Sequence, residues 1–235
     1  MRAASAGAIL KAASSAMTTA EEIIAHLRSL RNQRNIDGMR RFGIAPTGEQ
    51  LGIAAPVLRA IAREHRRDHE LALALWSSGI HEARGLATLV EDPRQVTRGQ
   101  AERWVRDCDN WAATDALAFL LDRTPFAEEK AHAWSTRKAE FVKRAAFSIM
   151  AGMAVHRKEL PDSVFLGFLP VIARESTDER NFVRKAVNWA LRQIGKRNAR
   201  LLGAAIAQGV KIQRLDSRAA RWIAADALRE LRSRR

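Results

Sequence analysis

Between Thr18 and Arg232, apolar residues recur with the 3.6-residue period of amphipathic helices, in segments of about 10 to 18 residues. Breaks fall at "GIAPTGEQLGIAAP", "HRRDHE", "SSGIHE", "VEDPRQ", "RTPFAEE", "HRKELPD", "RESTDER", "GKRN" and "QGVKIQRLDS", where Gly, Pro or charge clusters interrupt the pattern. Strand-like alternation is scarce. Connections this short make successive helices pack antiparallel.

Two of these segments read as copies, "EFVKRAAFSIMAGMAVHRKE" from Glu140 and "NFVRKAVNWALRQIGKRNAR" from Asn181, with Phe141 and Phe182 standing 41 positions apart. Weaker echoes are "HEARGLATLVED" upstream and "DSRAARWIAADALRELR" near the C-terminus. A period of about 40 belongs to HEAT or armadillo-like helix pairs. The expected fold is therefore all-α: a HEAT/armadillo-like α-solenoid of about a dozen antiparallel-packed helices, whose inner helices form a concave basic surface.

Advancing 100° per residue separates core from surface on each helix. In the second copy Val183, Val187, Ala190 and Ile194 form the core stripe, and Lys185, Trp189, Arg192 and Lys196 share another side. In the first copy Val142, Ala146, Ile149 and Met153 face the core. Arg144, Ser148, Ala151 and Val155 lie elsewhere, small residues that would leave room beside Arg144. In "DNWAATDALAFLLD", Ala113, Leu117, Leu120 and Leu121 form the apolar side, with Trp111, Asp115, Ala118 and Asp122 opposite. Trp104 aligns with Val96, Ala101 and Cys108 and is assigned to packing, as are Trp76 and Trp134. Trp222 shares a side with Arg218, Asp226 and Arg229 and is a further surface aromatic.

Composition then sets the scale. The chain has 235 residues, 47% of them hydrophobic, enough to bury the core of one domain, assigned to 18–235. Residues 1–17 read as a disordered or non-native extension, because "TTAEEIIAHLRSL" opens with a Thr cap and first-turn Glu, making Met17 a candidate start. Forty Lys and Arg against 26 Asp and Glu give a net charge of +14, which points to polyanions as partners. A single cysteine, Cys108, rules out an internal disulfide framework and fits a reducing cytoplasm. No apolar run reaches the ~20 residues of a membrane span. A cytoplasmic monomer, nucleoid-associated when on DNA, is expected.

A basic face with exposed indoles suits phosphates and bases. Within it Asp115 is out of place unless an arginine pairs with it or a positive charge develops during a reaction. Cleavage of an N-glycosidic bond makes such a charge, as the sugar becomes oxocarbenium-like. A base that is already cationic, such as an N3- or N7-alkylated purine, leaves neutral and needs no general acid, so one carboxylate suffices. Other chemistries are weaker. His65 and His69 have i,i+4 spacing but no third ligand, so no metal site and no cofactor is expected. Phosphate-loop, nucleophile-elbow and dinucleotide-turn motifs are absent.

Together "NWAATD", "FVKRAAF", "NFVRKAVNWALRQIGKRN" and "LGIAAPVLRAIARE" resemble the bacterial DNA alkylation repair family of HEAT-like glycosylases, the AlkD type, over roughly Ala20 to Leu231. The resemblance implies a helical solenoid that excises N3- and N7-alkylpurines from double-stranded DNA without enclosing the base in a pocket. It puts the catalytic aspartate on Asp115, the two catalytic tryptophans on Trp111 and Trp189, and the groove arginine on Arg144. Arg144, Lys185, Arg192 and Lys196 are then expected to hold phosphates, with Phe42, Trp222 and Arg218 as further DNA contacts. Two positions depart from the family pattern: Ala112 stands where a second acid is frequent, and Phe42 where a tyrosine is common. The alternatives are a non-catalytic relative that binds DNA structures and a helical-repeat scaffold for an acidic protein.

Overall fold

The computed structural model describes residues Thr19–Arg234, so the expected extension at 1–17 and the candidate start at Met17 lie outside the described residues. Thirteen helices, one more than the dozen expected, and no strand are found among them. They are α1 (Ala20–Ser29), α2 (Gln33–Arg41), α3 (Ala55–Glu64), α4 (His69–Ser77), α5 (His81–Val90), α6 (Arg98–Arg106) and α7 (Trp111–Leu121). α8 (Ala127–Ser135), α9 (Glu140–His156), α10 (Asp162–Glu175), α11 (Asn181–Gly195), α12 (Ala199–Gln213) and α13 (Arg218–Arg232) complete the chain.

From α3 onward the helices alternate between two layers. α3, α5, α7, α9, α11 and α13 pack side by side in chain order, and α4, α6, α8, α10 and α12 each back a neighbour in that row. The copies seen in the sequence are α9 and α11, whose Phe141 and Phe182 rings meet at 5.8 Å. The predicted core stripes of α7 and α11 are buried throughout. Trp76 and Trp104 stack at 4.1 Å with rings 1° from parallel, and Trp134 is fully buried. The indole N–H of Trp76 donates to Asp107 and that of Trp134 to Glu102, each at 2.8 Å, so neither polar handle is left unpaired.

α9 is buried nearly all round, as a central helix must be. Its small residues do not open a space beside Arg144, contrary to expectation. Ser148 bonds to Asp115 of α7, and a Cβ on Gly152 would collide with the carboxylate of Asp122. α7 fills the space. For the same reason Ala118 and Asp122, placed by the helical wheel on an outward side with Trp111 and Asp115, are buried.

α7 begins where the side chain of Asn110 accepts from the backbone N–H groups of Ala112 and Ala113, both at 3.1 Å. Trp111 is thus the first residue of the helix, and Asp115 sits one turn further in. α2 stands apart from the two layers, burying only Ile36. The loop after it is laced to the ends of α5 and α7, with Thr47 bonded to Asp109 through both its N–H and its hydroxyl, at 2.6 and 2.8 Å.

Candidate active site and nucleic-acid interface

Asp115 projects from α7 towards α9. Its Oδ1 accepts from Arg144 Nε at 3.0 Å and from Ser148 Oγ at 2.7 Å, and its Oδ2 accepts from Arg144 Nη2 at 2.7 Å. The third arm of Arg144, Nη1, donates to the Phe182 carbonyl at 2.7 Å. The guanidinium is 7% exposed and the carboxylate 17%. A bidentate fork of this kind fixes a carboxylate in plane as well as in place. A carboxylate offers roughly four acceptor positions; three are used, and the exposed edge keeps one.

Two openings meet at Asp115. The larger, about 1190 Å3, runs along α2, α3, α5 and α7, with Gly85, Leu89, Ala112, Ala116 and Phe119 giving it an apolar floor. The smaller, about 430 Å3, lies between α7, α9, α11 and α13 and is faced by Trp189 and Trp222. Trp111 borders the first, with the Arg144 guanidinium 5.9 Å from its ring centre. Phe119 meets Trp189 edge-on at 5.7 Å, so one aromatic edge spans the boundary between the openings. Phe42 stands at the mouth of the larger opening, 76% exposed.

Most of the residues expected to contact phosphates have partners within the protein. Three of the five N–H groups of Arg144 are directed at Asp115 and Phe182. Arg192 donates to Glu230 at 2.6 Å and lies 3.8 Å from Asp226, and Lys196 is also paired with Glu230. The helical wheel of α11 correctly gave a basic stripe; α13 brings the acids that cancel it. Arg218 borders neither opening and sits 3.5 Å from Glu179. Lys185 alone among the four forms no ion pair among the described residues while being exposed and common to both openings. Trp222 does face the smaller opening, with the Arg184 guanidinium 5.0 Å from its ring centre.

Sequence reasoning missed Arg34 and Arg59, which border the larger opening and form no ion pair among the described residues. It also missed Phe119, although the i,i+4 step from Asp115 places it on the same face. Ser148 was counted only as a small residue. The Phe182 carbonyl carries no residue signature at all.

Other polar groups have structural partners. Burial pushes the Cys108 thiol up to about 12, which keeps it unreactive. His69 bonds to Glu91 at 2.8 Å, and no group of three metal-ligating side chains occurs among the described residues. No helix there is long and apolar enough to cross a membrane. Burial raises the Asp122 carboxyl above the ordinary range, and His156, with Nδ1 2.6 Å away, partly offsets the rise.

Comparison with known proteins adds three findings. The sequence model of a family described as DNA alkylation repair enzyme matches residues 23–231. An uncharacterized protein of Listeria innocua is 26% identical over 151 residues, 63% of this chain and 66% of that protein, so the chain spans just under two thirds of that relative's length. A solved structure, described as a new family of proteins related to the HEAT-like repeat DNA glycosylases with affinity for branched DNA structures, superposes with a TM-score of 0.75. That match covers 90% of this chain and 95% of the other at 17% identity, and it establishes the HEAT-like fold.

Proposed function

The chain belongs to the DNA alkylation repair enzyme family, and from that premise we propose that it is a monofunctional DNA glycosylase acting on N3- and N7-alkylated purines in duplex DNA. The observation that carries this reading is the setting of Asp115. Its carboxylate is held from behind by Arg144 and Ser148 and borders both the opening lined by Trp111 and the one lined by Trp189. The Arg144 pair by itself accounts for a carboxylate in a basic groove; what supports catalysis is that the paired carboxylate still offers an open edge, which suits a developing sugar cation.

When the bond between C1′ and the alkylated base breaks, its electron pair goes to the base, which departs uncharged, and the sugar becomes oxocarbenium-like. The fixed carboxylate stabilises that charge without having to reorganise. Its remaining acceptor position receives a proton from the water that adds to C1′. Trp111 and Trp189 offer electron-rich faces to the cationic nucleotide in the ground state. Lys185, Arg34 and Arg59 supply the phosphate contacts, with Phe42 at the edge of the duplex and Trp222 on the far side of Trp189.

The test incubates the protein with methylated duplex DNA and measures released 3-methyladenine and 7-methylguanine, for the wild type and Asp115→Asn. Release by the wild type and its loss in the variant are expected. Should salt-dependent DNA binding persist with no release by the wild type, recognition of DNA structure replaces catalysis as the function. The free cations, which act independently of Asp115, favour that second reading in such an outcome.

A further inference from the structure

α2 ends in a Schellman cap. The N–H of Ile44 donates to the Met39 carbonyl and that of Gly43 to the Arg40 carbonyl, both at 3.0 Å, while Gly43 takes a left-handed φ of 78°. The Phe42 carbonyl, one of the acceptors that every helix leaves over at its C-terminus, accepts the indole N–H of Trp111 at 2.9 Å. The next residue reaches the other half of the site. A Cβ on Gly43 would lie 2.8 Å from Cζ of Phe182, and the Phe182 carbonyl is the acceptor for Arg144, which forks Asp115. One two-residue turn thus touches both the indole and the residue that anchors the guanidinium.

We infer that Phe42–Gly43 is a positioning turn that holds Trp111 and, through Phe182, the Arg144–Asp115 fork in register with one another. Trp111 has a single polar hydrogen, so its bond to Phe42 fixes the rotation of the whole ring. The carbonyl lies at the negative end of α2, which strengthens it as an acceptor. Gly43 is required twice over: its φ suits glycine, and the Phe182 ring occupies the place of a side chain. The backbone of Phe42 carries this role, and its side chain, turned outward, is free for DNA.

The catalytic readout rests on the glycosylase reading, so the test pairs it with one that does not. In the full chain, Gly43→Asn adds a Cβ while keeping a residue that tolerates the left-handed conformation. The indole proton–nitrogen signal of Trp111, assigned with Trp111→Phe, is recorded beside single-turnover release of 3-methyladenine and duplex affinity. Gly43→Asn is expected to move the indole signal and slow release about tenfold or more, with affinity within about twofold, since no phosphate contact is lost. Adding Phe182→Leu makes room for the Cβ and is expected to restore both, while Phe42→Ala, which keeps the carbonyl, leaves the indole signal in place. An unmoved signal in Gly43→Asn, or a loss that Phe182→Leu fails to relieve, overturns the inference. If Gly43→Asn does not fold, Phe182→Ala in the otherwise unchanged chain must slow release at constant affinity, and unchanged release overturns it. If the wild type releases no base, the glycosylase reading falls, and the indole signal alone decides whether the turn positions Trp111.

Discussion

The two sides of Asp115 are built on different terms. Towards the N-terminus the wall is apolar; Arg123 is held beside Asp122 at 3.7 Å, but Arg34 and Arg59, with Lys185 on the border shared by both openings, form no ion pair among the described residues. Towards the C-terminus the wall is aromatic; its Arg192, and Lys196 further along α11, are paired with Asp226 and Glu230, and only Lys185, on the border with the first side, is unpaired among the described residues. A net charge of +14 is therefore a poor guide to where DNA is gripped. Paired cations shape and stiffen a wall, whereas free ones release counterions from a phosphate backbone. Under the proposed function, the difference gives grip to the first side and placement of the lesion to the second.

The largest expected effect lies at the border between the two. Asp115→Asn should lower base release by roughly 10²–10³, the usual loss when one preorganised electrostatic group is removed, and leave duplex affinity nearly unchanged. A parallel fall in affinity would mean that Asp115 orders the groove and does not act on the sugar. Next comes the free-cation wall. Replacing Arg34, Arg59 and Lys185 together by alanine should weaken duplex binding about a hundredfold near ~0.1 M salt and lower the salt slope by roughly 2 to 3. Arg192→Ala is the matched control, and an equal effect there would erase the distinction between the walls. Trp189→Ala should slow release by about tenfold through lost placement while the protein stays folded. A collapse of thermal stability would show instead that the indole is core.

Much of this comparison was legible along the chain, and the part that was not has a physical cause. The 41-residue spacing of Phe141 and Phe182 and the i,i+4 pair Trp111 and Asp115 survive because helical period and repeat length are local properties. The helical wheel failed at Asp122 and Ala118 because it gives direction but not what a neighbouring helix brings; here α9 brings Gly152 and covers them. It placed Arg192 and Lys196 correctly on one stripe, but could not show that Glu230 arrives from α13 to pair with them. The partners of Arg144 are not legible along the chain, because they are Asp115, 29 positions away, and a backbone carbonyl with no letter of its own.

The smallest predictions separate the walls most cleanly, and both use Glu230. Removing its charge with Glu230→Gln frees Lys196 and leaves Arg192 only its 3.8 Å contact with Asp226, so the C-terminal wall should gain grip: a few-fold tighter duplex binding at low salt, with a salt slope steeper by about 1. No gain would mean that the freed side chains point away from the DNA path. The same residue predicts a pH effect on stability. Burial pushes the Glu230 carboxyl up, but hydrogen bonds from Lys196 and Arg192 outweigh this and hold it below the ordinary range. A lowered folded-state value contributes stability that is complete above the unfolded value, near ~4.3, and disappears as pH falls through the folded one. Because the carboxylate is 27% exposed, solvent screening limits the contribution to about 1 kcal/mol or less. Thermal unfolding from pH 7 downward should therefore bring wild type and Glu230→Gln together below about pH 4. Arg34→Ala, which removes a cation with no ion pair among the described residues, should keep the wild-type acid limb; a gap between Glu230→Gln and wild type that does not change with pH would place the cost of the substitution in packing rather than in charge.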